Sequence, residues 1–363
     1  MNVLLTGGGT GGHVYPALAV AAALAECAGK EGVACLFAGP TRGDTARIAK
    51  RAGIPFAPVR AGAVRGRSAW QLARTLWDLA LGTAQGWRIT GRFRPAVVLA
   101  TGGYASVPVA IAAWLRRVPL VLYLPDVHPG WAARLLAVLA ARIAVTNEGA
   151  LQHLPRRKTV VTGYPVRSAF FTRTRAEARR SLGLEDDLPV LLVTGASQGA
   201  QTLNRAMWEA LPALLPRCIV LHQTGTQHVE AAERVAAALP AELRCRYRPL
   251  GYLDDMASAM AAADLAVMRA GASSLAEPPA TGLATILVPG RFAGAHQRHN
   301  AAFMAARGAA ILLEEDELHR LAEVVLGLLD DRERLERMRS AARALARPDA
   351  ARAIAAVLLE VAT

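Results

Sequence analysis

The 363 residues are 53% apolar, carry a formal net charge of +13 and include four cysteines. That length accommodates two domains with full cores, and the apolar share excludes a disordered or low-complexity chain. Cys27, Cys35, Cys218 and Cys245 form no C-x-x-C pair and no cluster with His, so neither a disulfide scaffold nor a dedicated metal site is expected.

The chain opens on Val3-Leu4-Leu5, which reads as a buried parallel strand, followed by Gly7-Gly8-Gly9-Thr10-Gly11-Gly12-His13 and an apolar helix through Leu24. Pro16 is expected in the first helical turn, where its missing N–H costs nothing. Glycines let the backbone turn tightly and approach a ligand, and the free N–H groups of the next helix favour negative charge. The turn therefore predicts a phosphate-bearing or otherwise oxygen-rich ligand beside an imidazole. No basic leader precedes the apolar run, so a secretory signal is not expected.

A strand at Ala34–Ala38 and a helix around Thr45–Ala52 follow. Residues 60–94 then hold seven arginines, Arg65, Arg67 and Arg74 among them, against one acid, Asp78. Trp70 and Trp77 lie two helical turns apart and share a face. One reading is a helix packed on the sheet with a solvated basic side; the other is an aromatic, basic surface resting on anionic lipid. Val97–Ala100 is the next strand, and Thr101-Gly102-Gly103-Tyr104 forms another glycine turn before a helix around Val107–Leu115. Residues 95–115 carry no charge, but Gly102, Gly103 and Pro108 parse them as strand, turn and buried helix rather than a membrane span. Leu120–Tyr123, a helix around Gly130–Ala140, Ile143–Val145 and Val160–Thr162 complete the first half, and Gly163-Tyr164-Pro165 reads as a linker.

The second half repeats the style. Val190–Thr194 leads into Gly195-Ala196-Ser197-Gln198-Gly199-Ala200 and a helical run from Thr202 to Leu211. Ile219–Gln223, a helix near Val229–Leu239, Arg244–Leu250, Leu265–Met268, Thr285–Val288 and Ala310–Leu313 follow, then helices to the end. Strands alternating with helices predict an α/β chain of two Rossmann-like domains with parallel sheets covered on both faces. The expected boundaries are 1–163, joined by a C-terminal helix within about 340–363, and 164–339. The charge segregates with them: residues 1–163 hold 19 Lys and Arg against 6 Asp and Glu, whereas residues 164–363 hold 23 of each. An anionic partner of the first half accounts for this, whether membrane surface, nucleic acid or phosphorylated acceptor.

Several motifs in order, GGGTGGHVYP from Gly7, VLATGGYASVPVAIAAW from Val98, GYPVR from Gly163, TGASQGAQTLN from Thr194, GYLDDM from Gly251, RAGASSLAE from Arg269 and HQRHNA from His296, resemble the MurG-type glycosyltransferases over nearly the whole chain. The resemblance implies a GT-B architecture, two Rossmann-like domains facing across a cleft, and no metal or other cofactor. It implies inverting transfer of N-acetylglucosamine from UDP-N-acetylglucosamine to the 4-hydroxyl of a polyprenyl-pyrophosphate-linked muramyl peptide, lipid I, at the cytoplasmic face of the plasma membrane. Arg167 and Ser197 are then contacts to the pyrophosphate, and Leu253 is the backbone position reading uracil. Ala272, Ser273 and Ser274, continuing into Leu275 and Ala276, open a helix aimed at the leaving group. Glu277 holds the ribose hydroxyls, Gln297 beside His296 contacts the sugar, and Thr10, Gly11, Gly12 and His13 approach the transferred sugar. Gly102, Gly103 and Tyr104 fall on the acceptor side. The attacking hydroxyl needs a base, for which His13 is the candidate.

Two departures from the family pattern stand out. Asp126 occupies a position where the family carries Asn, replacing an amide donor with an acceptor; it is either an alternative base or a loop cap. Pro278 and Pro279 require a short or kinked helix after Glu277. Three rival functions fit parts of the sequence. An NAD-dependent oxidoreductase fits Gly7, Gly9 and Gly12 but needs an acid at the end of the second strand, where Leu36–Pro40 has none. A nucleic-acid-binding protein fits the basic half but lacks aromatic platforms on strands, so no nucleic-acid partner is expected. A transferase moving another UDP-sugar to another lipid, such as diacylglycerol, stays open.

Overall fold

The computed structural model describes residues 1–8, 11–27, 32–41, 45–62, 69–184, 187–196, 199–290 and 296–362. The chain divides into two compact units, Met1–Val166 with Arg347–Thr363, and Arg167–Ala346.

The first unit is a seven-stranded parallel sheet of β1 (Asn2–Thr6), β2 (Ala34–Gly39), β3 (Phe56–Pro58), β4 (Val97–Ala100), β5 (Leu120–Leu124), β6 (Arg142–Val145) and β7 (Thr159–Val161), in the order β3-β2-β1-β4-β5-β6-β7. Every residue of β4 and β5 is buried, as expected of uninterrupted Val/Leu strands covered on both faces. The helices are α1 (Gly11–Cys27), α2 (Thr45–Arg51), α3 (Ala69–Phe93), α4 (Val107–Leu115) and α5 (Trp131–Leu139). Helix α3 lies close on α4: a Cβ added at Gly86 would sit 3.1 Å from the Ala112 Cβ and 3.2 Å from the Val109 Cα.

The second unit is a six-stranded parallel sheet of β8 (Val190–Thr194), β9 (Ile219–Gln223), β10 (Tyr247–Leu250), β11 (Leu265–Arg269), β12 (Ala284–Val288) and β13 (Ala310–Leu312), in the order β10-β9-β8-β11-β12-β13. Its helices are α6 (Ala169–Thr172), α7 (Arg175–Ser181), α8 (Gln201–Leu214), α9 (Val229–Ala238), α10 (Ala241–Arg244), α11 (Met256–Ala262), α12 (Glu277–Thr281), α13 (His296–Ala306), α14 (Leu321–Asp330) and α15 (Arg332–Ala344). The chain then returns to the first unit as α16 (Ala350–Ala362), which packs on α1 and against β4, β5 and β6.

Two local expectations are corrected. Pro16 lies inside α1, not in its first turn, because the helix already begins at Gly11. Proline removes the bond that the Gly12 carbonyl would accept, and the Tyr164 hydroxyl replaces it, donating to that oxygen at 3.2 Å. The strand expected at Arg244–Leu250 begins only at Tyr247, because Pro240 starts the short helix α10 and its C-terminal turn occupies Cys245 and Arg246.

Candidate active site

In a doubly wound sheet, ligands collect beyond the strand ends where the order reverses. In the first unit that point lies between β1 and β4, paired from Val3↔Val97 to Thr6↔Ala100. Gly7 and Gly8 leave β1 here, and Thr101-Gly102-Gly103 leave β4. Gly102 and Gly103 adopt φ of +89° and +76°, open to glycine at little cost. The His13 imidazole lies against them: a Cβ at Gly102 would be 3.5 Å from its Nδ1, and one at Gly103 would be 3.6 Å from its Cδ2. His13 Nδ1 is 2.8 Å from the Thr101 carbonyl oxygen. A carbonyl only accepts, so Nδ1 carries a hydrogen, and in the neutral ring the lone pair falls to Nε2. The Thr101 hydroxyl donates to the His13 carbonyl at 2.7 Å, tying the turn after β4 to the first turn of α1 from both sides.

Gly11 and Gly12 form the first residues of α1, whereas Thr10 lies outside the described residues. Tyr104 is half-buried and opens a 3-10 turn, Tyr104–Ser106, whose Ser106 hydroxyl bonds the Gly102 and Gly103 carbonyls at 3.1 and 2.8 Å. Asp126 is half-buried two residues beyond β5, at the same carboxyl edge of the sheet.

In the second unit the order reverses between β8 and β11. The turn after β8 leads into α8; Ser197 falls outside the described residues, and Ala196 and Gly199 flank the gap. After β11, Ala272, Ser273, Ser274 and Leu275 form a 3-10 turn rather than opening a helix. Ser274 is fully buried and spends its hydroxyl on the Gly271 carbonyl at 2.6 Å, while Leu275 and Ala276 are buried too. The Ser274 and Ala276 N–H groups are likewise spent within the turn, on the Gly271 and Ser273 carbonyls at 2.9 and 3.0 Å. Ala272 and Ser273 are half-buried. The two prolines sit in the first turn of α12, a five-residue helix ended by Gly282.

Glu277 begins α12. Burial pushes its carboxyl up to about 7, against the pull of the Arg167 guanidinium and a Ser273 hydrogen bond. Arg167 is exposed, stands over the Phe170 ring at 5.4 Å and also holds down the Asp255 carboxyl, which burial raises but the Ser258 cap and Arg173 outweigh. Leu253 is half-buried beyond β10. His296 opens α13, and the Gln297 Oε1 accepts the Gly290 N–H at 2.8 Å, which fixes its amide and directs the Nε2 donors elsewhere.

Sequence reasoning passed over the side chains that brace this crevice. Arg269 Nη2 donates to both Glu315 and the Thr202 hydroxyl, joining β11 to the start of α8, with the two charged side chains 12% and 11% exposed. Asn300 is fully buried and donates to the Ala270 carbonyl at 3.1 Å, which holds α13 to the turn after β11. Arg269 leads the RAGASSLAE motif and was the signal available; nothing in the spacing pointed to Glu315.

On the basic face, Trp70 and Trp77 of α3 are 79% and 65% exposed and Arg74 is exposed; Arg65 and Arg67 lie outside the described residues. A shallow apolar groove of about 520 Å³ runs between α3 and α4, bounded by Leu76, Leu79, Trp87, Ile111 and Leu115. Trp131 and Val138 are exposed on α5 and Trp114 on α4, whose other residues from Val107 to Ala113 are mostly buried, as expected. Among the described residues, no helix is long and apolar enough to cross a membrane, and no group of three or more His, Cys, Asp or Glu is placed to hold a metal ion.

Comparison with known proteins agrees with this layout. Residues 3–145 match the glycosyltransferase family 28 N-terminal domain and residues 190–354 match its C-terminal domain. The UDP-N-acetylglucosamine--N-acetylmuramyl-(pentapeptide) pyrophosphoryl-undecaprenol N-acetylglucosamine transferase of Roseiflexus sp. (strain RS-1) is 40% identical, across 99% of this chain and 94% of that relative. The enzyme of the same description from Moorella thermoacetica is 40% identical across 99% of both chains. The crystal structure of Acinetobacter baumannii MurG superposes with a TM-score of 0.76 at 27% identity, covering 99% of each chain. The chain belongs to glycosyltransferase family 28 and, within it, to the MurG-type N-acetylglucosamine transferases.

Proposed function

We propose that the chain transfers N-acetylglucosamine from UDP-N-acetylglucosamine to the 4-hydroxyl of the muramoyl sugar of lipid I, with inversion, giving lipid II for peptidoglycan synthesis. The observation that carries the donor half of this reading is Glu277. A desolvated carboxyl beside a guanidinium and a hydroxyl, at the switch point of the second unit, matches what a nucleoside diphosphate offers: ribose hydroxyls that donate and phosphates that accept. Glu277 holds the ribose, Arg167 and Ser197 meet the pyrophosphate, Leu253 reads uracil through its backbone, and Gln297 turns its free amide to the sugar.

The reaction is a single displacement. The acceptor O4 bonds to C1 of the sugar as the bond from C1 to the phosphate oxygen breaks, and the electron pair leaves on UDP. The acceptor proton passes to His13 Nε2, the nitrogen left unprotonated by the Thr101 contact. The leaving charge is met by Arg167 and by N–H groups of the turns after β8 and β11, so no metal is needed. The acceptor's polyprenyl chain stays in the membrane, and the exposed tryptophans and Arg74 of α3 dock the first unit on the anionic cytoplasmic leaflet, peripherally.

The decisive assay supplies a lipid I analogue with radiolabelled UDP-N-acetylglucosamine, with UDP-glucose and diacylglycerol as alternative donor and acceptor. Expected is transfer only to the muramyl acceptor from the N-acetylglucosamine donor, unchanged by EDTA. Transfer to diacylglycerol instead would assign the related lipid transferase.

A further inference from the structure

The neighbouring residues His222 and Gln223 end β9, one strand away from the turn that follows β8. Both are buried, and neither belongs to the proposed contact set. Gln223 Oε1 accepts the Thr194 hydroxyl at 2.7 Å, and that same hydroxyl oxygen accepts the Ala196 N–H at 3.2 Å. His222 starts a second line. Asn204 Nδ2 donates to the Thr224 carbonyl at 2.9 Å, which leaves Asn204 Oδ1 to accept from His222 Nε2 at 3.1 Å. His222 Nδ1 then accepts from the Tyr247 hydroxyl at 3.1 Å, and that hydroxyl accepts from Trp208 Nε1 at 3.0 Å. Every donor in this line meets one acceptor, and one neutral tautomer of His222 satisfies it throughout. Burial drives His222 down to about 3, so the line stays neutral at any working pH.

Both lines end on the turn. The Thr224 carbonyl stands where a Cβ at Gly199 would be, and Gly199 takes φ of +74°. Ala196, an alanine with φ of +65°, holds a left-handed conformation that costs a non-glycine residue on the order of 1 kcal/mol. Its N–H bond to Thr194 opposes that cost, and the Gly199 N–H closes the turn on the Ala196 carbonyl at 2.9 Å. We propose that His222 and Gln223 are positioning residues that fix Ala196 and Gly199, the described flanks of the turn after β8, and so hold the backbone on either side of the proposed pyrophosphate contact. The inference rests on the donor-site reading above. Holding the turn before the donor arrives removes the ordering cost from binding.

The test is a pair of variants with a split readout. Thr194→Val keeps the shape and removes the hydroxyl that links Gln223 to Ala196; Thr194→Ser restores it. Expected for Thr194→Val, which removes both bonds of that hydroxyl, is a donor KM raised roughly tenfold, with the acceptor KM within about twofold of wild type. Thr194→Ser returns the donor KM to near wild type. Should Thr194→Val fold poorly, Tyr247→Phe probes the His222 line and is expected to raise the donor KM by about threefold, again sparing the acceptor. A network that only supports the fold lowers the melting temperature and leaves the donor KM of the folded enzyme unchanged, and that result overturns the proposal. Glu277→Ala separates the two levels of the argument. If it raises the donor KM and the relay variants do not, the positioning role alone falls; if none of them moves it, the donor-site reading falls with it.

Discussion

The two switch-point crevices share a topology and differ in what lines them. In the first unit, glycines at +89° and +76° let an imidazole lie on bare backbone, and a carbonyl settles which nitrogen keeps the proton. In the second unit, a desolvated carboxyl that titrates near neutrality stands beside a guanidinium, and an Arg269–Glu315 pair braces the strand. Parallel sheets of one winding thus provide two places where negative charge is tolerated, and the side chains divide the labour. In the proposed reaction one crevice takes the acceptor proton and the other meets the departing phosphate.

Breaking the first crevice has the largest expected effect. His13→Ala should lower kcat about a thousandfold, the usual size of a lost general base, while UDP affinity measured by calorimetry stays within twofold. A variant with near-normal turnover removes His13 from the chemistry. The second crevice is next and is read through pH. Glu277 binds its proton up to about pH 7 in the folded chain, against its ordinary 4.5, so the folded state holds the extra proton between those values. Stability therefore falls as pH rises through that window and is flat above it, by about 3 kcal/mol from this group. Glu277→Gln should abolish that slope in urea titrations at pH 5 and 8. Donor affinity should run the other way in wild type, tightening as the carboxylate forms, and lose its pH dependence in the variant.

Two smaller perturbations sharpen the contrast. Gly86→Ala puts a methyl 3.1 Å from the Ala112 Cβ and 3.2 Å from the Val109 Cα, so α4 must give by a few tenths of an ångström; a net cost of about 1 kcal/mol in thermal unfolding is expected. Tyr164→Phe leaves the Gly12 carbonyl without its replacement partner and should cost about 1 kcal/mol, with kcat falling more than donor KM because the first turn of α1 carries His13. A donor KM that moves instead would tie Tyr164 to the other crevice.

The strands were legible because parallel sheets bury both faces and write themselves as Val/Leu runs, as at Val97–Ala100 and Val190–Thr194. The glycine turns were legible because few other residues tolerate that backbone. Pro16 misled because its cost inside a helix is cancelled by Tyr164, a residue remote in sequence. Ser273 and Ser274 look alike in the motif, yet one is half-buried near Glu277 and the other is fully buried and spent on Gly271. His222 reads as a scattered histidine, since its meaning lies in Asn204 and Tyr247, which only the fold brings to it. Periodicity finds elements; it does not find pairs across the sheet.

The chain passes between the units twice, and its last helix covers β4, β5 and β6 of the first. A ribosome therefore delivers all seven strands of the first sheet before one of the helices that covers it. Ile354, Val357 and Leu358, which α16 buries, emerge only after the whole second unit has been made. Truncating the gene near residue 166 would leave β4, β5 and β6 without a helix that packs on them, so the first crevice cannot be borrowed as an independent cassette. The order of synthesis completes the second unit before the first, which waits for the helix at 350–362.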